Sequence, residues 1–150
     1  MDNFRDIQSL KDHLQNEPQG FVLVAYQNLK EYEGMVLCIM IRYNKKLKYE
    51  LDLEWECLGL DFYGDTLQES YVYEFDSLEE LLVYIESKYA IAVTDIRVKY
   101  SFDHTQFPNL LRDEAKRPQF EIAWKKFQED FKAGVLLDRS LPLIYSSIEK

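Results

Sequence analysis

With only two histidines and two cysteines in 150 residues, the chain has few groups for acid–base catalysis near neutral pH or for thiolate and imidazole metal ligation. His13 falls on the polar side of a helical pattern, where a histidine is ordinarily a surface residue. His104 follows Ser101 and Asp103 in a loop-like stretch, and neighbours in sequence seldom point at one another, so no hydrolytic triad is expected there. Cys38 and Cys57 lie in neither a CxxC nor a CxxH pattern, and zinc needs three or four convergent ligands. Cys38 sits inside an apolar run, where a cysteine acts as a small hydrophobe rather than half of a disulfide. Gly-rich phosphate loops, HExxH and GxSxG are missing too. The chain is therefore expected to be a non-enzyme with no cofactor.

Long apolar stretches are also lacking. The longest, Met35 to Ile41, is far short of the ~20 residues needed to cross a bilayer. The opening Met1-Asp2-Asn3-Phe4-Arg5-Asp6 has no apolar segment behind it of the kind a secretory signal requires. A soluble, cytoplasmic protein without membrane contact is expected.

The most informative absence is of positive charge. Between Glu50 and Glu80 there are eleven acids and no lysine or arginine. The rest of the chain carries 16 acids and 18 bases, a balance of +2, so the whole negative excess belongs to this one stretch. Phosphates would be repelled there, which disfavours nucleic acid as a partner.

What is present is an aromatic-rich core set, 47% hydrophobic and 15% aromatic, enough for one domain over residues 1–150. Phe4, Ile7, Leu10 and Leu14 recur at helical spacing, with Asp2 or Asn3 as the expected cap and Pro18 and Gly20 as the stop. Residues 20–26 read as a buried strand. Met35 to Ile41, apolar at every position, reads as a central strand covered on both faces. After an Asn44-Lys45-Lys46 turn, residues 47–56 alternate. Leu47, Tyr49, Leu51, Leu53 and Trp55 point to one side, and Lys48, Glu50, Asp52, Glu54 and Glu56 to the other. The alternation breaks near Gly59, as a bulge or turn would require. Tyr71, Tyr73 and Phe75 mark a further strand. Ser77 and Glu80 fit a capping box, and so do Asp76 and Glu79, before the stripe Leu78, Leu81, Leu82, Ile85 and Tyr89. Ile96, Val98, Tyr100 and Phe102 suggest another strand. Pro118 opens a last helix carrying Phe120, Ala123, Trp124, Phe127 and Phe131, and Gly134 ends it. The tail, 135–148, is apolar enough to fold back on the body. The expectation is an α+β fold: a mainly antiparallel sheet of about five to six strands, with about three helices largely on one face and the acidic stripe on the open face.

The stripe is the candidate site. Acids two apart on a strand stand about 6–7 Å from one another, and each such pair repels by roughly 0.6 kcal/mol in water. Interleaved lysines would serve solubility equally well and remove that cost. A one-signed potential suits a cationic partner, which it would attract and steer. The partner-binding set read from the sequence is Glu50, Asp52, Glu54, Glu56, Asp61, Asp65 and Glu69, with Tyr63 and Tyr71 as aromatic anchors. An adaptor binding through an exposed sheet edge is one alternative. A carboxylate-metal enzyme using Asp52 and Glu54 is another; its weak point is that the nearby Glu86-Ser87-Lys88 falls on a helix rather than a strand.

The run Tyr73-Glu74-Phe75-Asp76-Ser77-Leu78-Glu79-Glu80-Leu81-Leu82-Val83-Tyr84-Ile85 is an aromatic strand end leading into a Ser-Leu-Glu-Glu helix. With its size, acidity and layout, the chain resembles bacterial immunity proteins that neutralise polymorphic or contact-dependent growth inhibition toxins. Those proteins share no single motif, so no residue role transfers. The resemblance implies a non-enzymatic cytoplasmic inhibitor whose partner is a cognate basic toxin domain of the nuclease type.

Overall fold

The fold was obtained as a computed structural model, which describes residues 3–17, 20–29, 31–32, 35–57, 68–97 and 117–147. Helix α1 (Ile7–Asn16) precedes strands β1 (Val22–Asn28), β2 (Met35–Tyr43), β3 (Tyr49–Cys57) and β4 (Gln68–Phe75). Helix α2 (Leu78–Tyr89), a 3-10 turn at Val93–Asp95, helix α3 (Arg117–Lys132) and strand β5 (Leu143–Ser146) complete the order. The five strands form one antiparallel sheet in the spatial order β1-β2-β3-β4-β5. The α+β expectation holds, and β2 is an interior strand as its unbroken apolar run implied. The middle of the sheet is β3.

One cluster of buried side chains joins the sheet to the helices. The sheet contributes Tyr49, Leu51, Leu53 and Trp55 from β3 and Tyr71, Tyr73 and Phe75 from β4. From the helices come Leu10 and Leu14, then Leu78, Leu81, Leu82 and Ile85, then Phe127 and Phe131. These lie on the faces that helical and strand periodicity marks as apolar, Tyr71 among them although expected as a partner anchor. Aromatic packing concentrates under α3. Phe131 stacks on Tyr71 with centroids 4.5 Å apart, and Trp55 meets Phe131 edge-on at 5.9 Å.

Local chemistry sets the boundaries. Helix α1 starts later than Asp2 or Asn3 would have it, because Asp6 and Ser9 cap it reciprocally: Ser9 N–H donates to Asp6 Oδ1 at 2.9 Å, and Asp6 N–H donates to Ser9 Oγ. Phe4 lies ahead of the helix and is buried, its N–H donating to the Ile96 carbonyl at 2.9 Å. Ser77 caps α2, accepting from Glu80 N–H at 3.2 Å, as read from the sequence. Pro118 sits in the first turn of α3, and Gly134, at φ +77°, follows its end.

Leu47 departs from its expected core position. It is 71% exposed in the β2–β3 turn at φ +63°, a left-handed conformation an L-residue adopts at a cost. The turn is held by Asn44, whose Oδ1 accepts from both Lys46 and Lys48 N–H at 3.0 Å. Of the strand expected at 96–102, Ile96 is buried and Arg97 forms an isolated bridge with Asn3; the remainder, and the break near Gly59, lie outside the described residues. The tail packs back on the body as an edge strand, β5, paired with β4.

The outward face of the sheet is only partly open. Val36 (1% exposed), Cys38 (2%) and Val72 (8%) are buried, yet they stand outside the helix-side core cluster. Among the described residues no helix is long and apolar enough to cross a membrane.

Candidate functional site

Cross-strand register places the acids of β3. Glu50 lies between Arg42 and Glu74, Asp52 between Met40 and Val72, and Glu54 between Cys38 and Ser70. Val72 in turn pairs with Tyr145 of β5. Since side chains alternate along a strand, these residues share the face opposite the helices.

The structure brings Glu50, Asp52 and Glu54 together, as the sequence implied, but not as a solvated stripe. Glu50 and Asp52 each keep only 7% of their exposure, and Glu54 is partly buried. Alternation assigns a side chain to a face; it does not say what covers that face. Glu50 is internally neutralised: Arg42 Nη2 lies 2.6 Å from its Oε1, and Asn44 Nδ2 donates to its Oε2 at 2.9 Å. The same amide donates to Glu74 Oε2 at 2.9 Å, and Lys48 reaches Glu74 at 3.7 Å and Asp76 at 3.2 Å. The turn end of the face is thus a hydrogen-bonded network of mixed charge.

Asp52 is different. Its Oδ1 is buried and has no hydrogen-bond partner. Burial pushes its pKa up to about 7; the nearby Glu54 and, less strongly, Glu50 push the same way, while Arg42 opposes them. Burial also raises the Glu54 pKa. Over these acids lies a cleft of about 460 Å³, lined by Arg42, Glu50, Asp52, Glu54, Ser70, Val72, Ile144 and Tyr145. Ile144 and Tyr145 form an amphipathic wall, 42% and 43% exposed.

The remaining sequence-derived site residues separate from this group. Tyr71, expected as an anchor, is 1% exposed on the helix side, with its hydroxyl donating to the Phe131 carbonyl at 3.2 Å. Its odd position puts it in phase with Tyr73 and Phe75, so it is core. Glu69 shares that phase; its Oε2 accepts from the Ser147 hydroxyl, and it lines a pocket with Gln128, Phe131 and Lys132. It is not part of the outward patch. Glu56 belongs to β3, opposite Gln68, but its side chain is not described, and Asp61, Tyr63 and Asp65 lie outside the described residues.

Sequence reasoning missed Arg42, Asn44, Ile144 and Tyr145. The first two carried a signal: a hairpin closing over Asn44-Lys45-Lys46 sets 42 opposite 50 and leaves Asn44 beside both acids. Nothing in the tail announced that it would rim this cleft. Among the described residues no group of three or more His, Cys, Asp or Glu side chains is placed to hold a metal ion. No protein-family model matches the chain, and no curated protein and no solved structure matches it.

Proposed function

We propose that this protein is a non-enzymatic inhibitor of the immunity type, acting in the cytoplasm by covering a basic, nuclease-type toxin domain with the outward acidic face of its sheet. The observation that carries the reading is the cleft over β3, in which three carboxylates face one guanidinium already engaged by Glu50. Residual negative potential in a partly desolvated cleft favours a cationic protein and repels phosphate. The confinement of the chain's whole negative excess to residues 50–80 supports the same conclusion.

The test is to isolate the partner from the native host, purify it, and titrate it into this protein by calorimetry at low and high salt. A basic toxin domain whose affinity falls at least tenfold between about 50 and 300 mM salt, and whose toxicity is relieved by co-expression, is the expected result. A neutral or acidic partner bound equally well at both ionic strengths would defeat the proposal. That outcome would favour a second reading, an adaptor binding along edge strand β5, where Leu143, Ile144 and Tyr145 are 36%, 42% and 43% exposed.

A further inference from the structure

We propose that the cleft over Asp52 is a receptor for one arginine side chain of the protein partner, with the guanidinium bound between Asp52 and Glu54 and its stem along Ile144 and Tyr145. The inference rests on the preceding reading that this face meets a basic protein, and it names the contact.

Asp52 combines two properties seldom found together. It is more than nine-tenths buried, and its Oδ1 has no hydrogen-bond partner. Buried polar atoms are almost always paired, because an unpaired one keeps its full desolvation cost. The nearby acids on this face show the ordinary solution: Glu50 has Arg42 and Asn44, and Glu74 has Asn44 and Lys48. Arg42 gives Asp52 Oδ1 no hydrogen bond, although its charge favours the ionised carboxylate and its own Nε is likewise buried without a partner. Its Nη2 is held by Glu50, and its guanidinium lies 4.5 Å from the Phe21 ring centroid, which fixes it at the β1 side.

The cleft supplies what an incoming guanidinium needs. Asp52 and Glu54 are two residues apart on one strand face, about 6–7 Å, so a planar group with five donors can address both. The Tyr145 ring and the Ile144 side chain offer half-exposed surface against which the aliphatic stem can lie. Ser70, on the strand next to Glu54, adds a hydroxyl in the same cleft.

The experiment is a heteronuclear NMR titration of the full chain at low salt with N-acetyl-arginine amide, set against N-acetyl-citrulline amide, its uncharged near-isostere. The expected result is saturable shifts at Asp52, Val72 and Tyr145 with the arginine compound, at least fivefold weaker binding of the citrulline compound, and about tenfold weaker arginine binding by Asp52→Asn. Glu86→Gln, at an exposed acid of α2, should bind as the unaltered chain does. Equal shifts from both compounds, an Asp52→Asn titration matching the unaltered chain, or unsaturable shifts spread over the exposed acids would each overturn the receptor. Should Asp52→Asn lose its dispersed spectrum, Tyr145→Ala at the rim carries the test: a severalfold loss supports the receptor and no change refutes it. A basic partner bound equally by Asp52→Asn would remove the receptor and leave the broader reading standing. Arginine amide seated at Asp52, with only acidic or neutral protein partners found, would do the reverse.

Discussion

Asp52 illustrates how much a single residue's environment departs from its sequence context. Read along the strand, it is one of four alternating acids; in the fold, its carboxyl is buried beside Glu50 and Glu54, with Arg42 the nearby cation. A carboxyl whose folded-state pKa is raised from 3.8 to about 7 binds its proton more tightly when folded. Its contribution to stability is therefore present below about pH 4 and lost as pH rises to about 7. At ~1.4 kcal/mol per pKa unit, the loss should amount to about 2–4 kcal/mol. Asp52→Asn has no proton to lose. In urea denaturation at pH 4.5, 6.0 and 7.5, its stability should gain on that of the unaltered chain as pH rises. Parallel profiles would show that Asp52 is not buried as described.

At the scale of elements, the β2–β3 hairpin does two jobs. Its Asn44 turn sets the register, and that register aligns Arg42 with Glu50. The Glu50 side chain is 10% exposed, so removing its cation leaves a nearly buried charge unpaired. Arg42→Met should destabilise the fold by about 2–4 kcal/mol, whereas the Arg42→Met/Glu50→Met double variant should lie within about 1 kcal/mol of the unaltered chain. A double-mutant cycle by chemical denaturation reads the coupling directly, and additive costs would mean the pair does not interact. Helix α2 shows the opposite case, an element legible from its residues alone: Ser77 caps it, and Leu78, Leu81, Leu82 and Ile85 are buried as their spacing requires. Strand β5 was legible only as apolar, because four residues at an edge carry no periodicity of their own.

The whole molecule is a sheet with its aromatic core on the helix side and a second buried layer on the other. Phe131 ties α3 to β3 and β4 through its stack on Tyr71 and its contact with Trp55. Truncation at such a site removes transfer energy and leaves a cavity, so Phe131→Ala should cost about 3–5 kcal/mol in urea unfolding. Val135→Ala, at a position 64% exposed, should stay within about 0.5 kcal/mol. Similar losses from both would contradict the packing described for α3.

The sequence by itself determined the α+β class, the helix-side core and the face to which Glu50, Asp52 and Glu54 belong. Those follow from the two-residue and 3.6-residue periods, which are local properties of the backbone. Only the tertiary structure decided that Arg42 neutralises Glu50 and that the tail walls the cleft. It alone decided that Asp52 is left buried without a hydrogen-bond partner for Oδ1. Burial and pairing depend on which distant segments arrive at a surface, and no period along the chain encodes that.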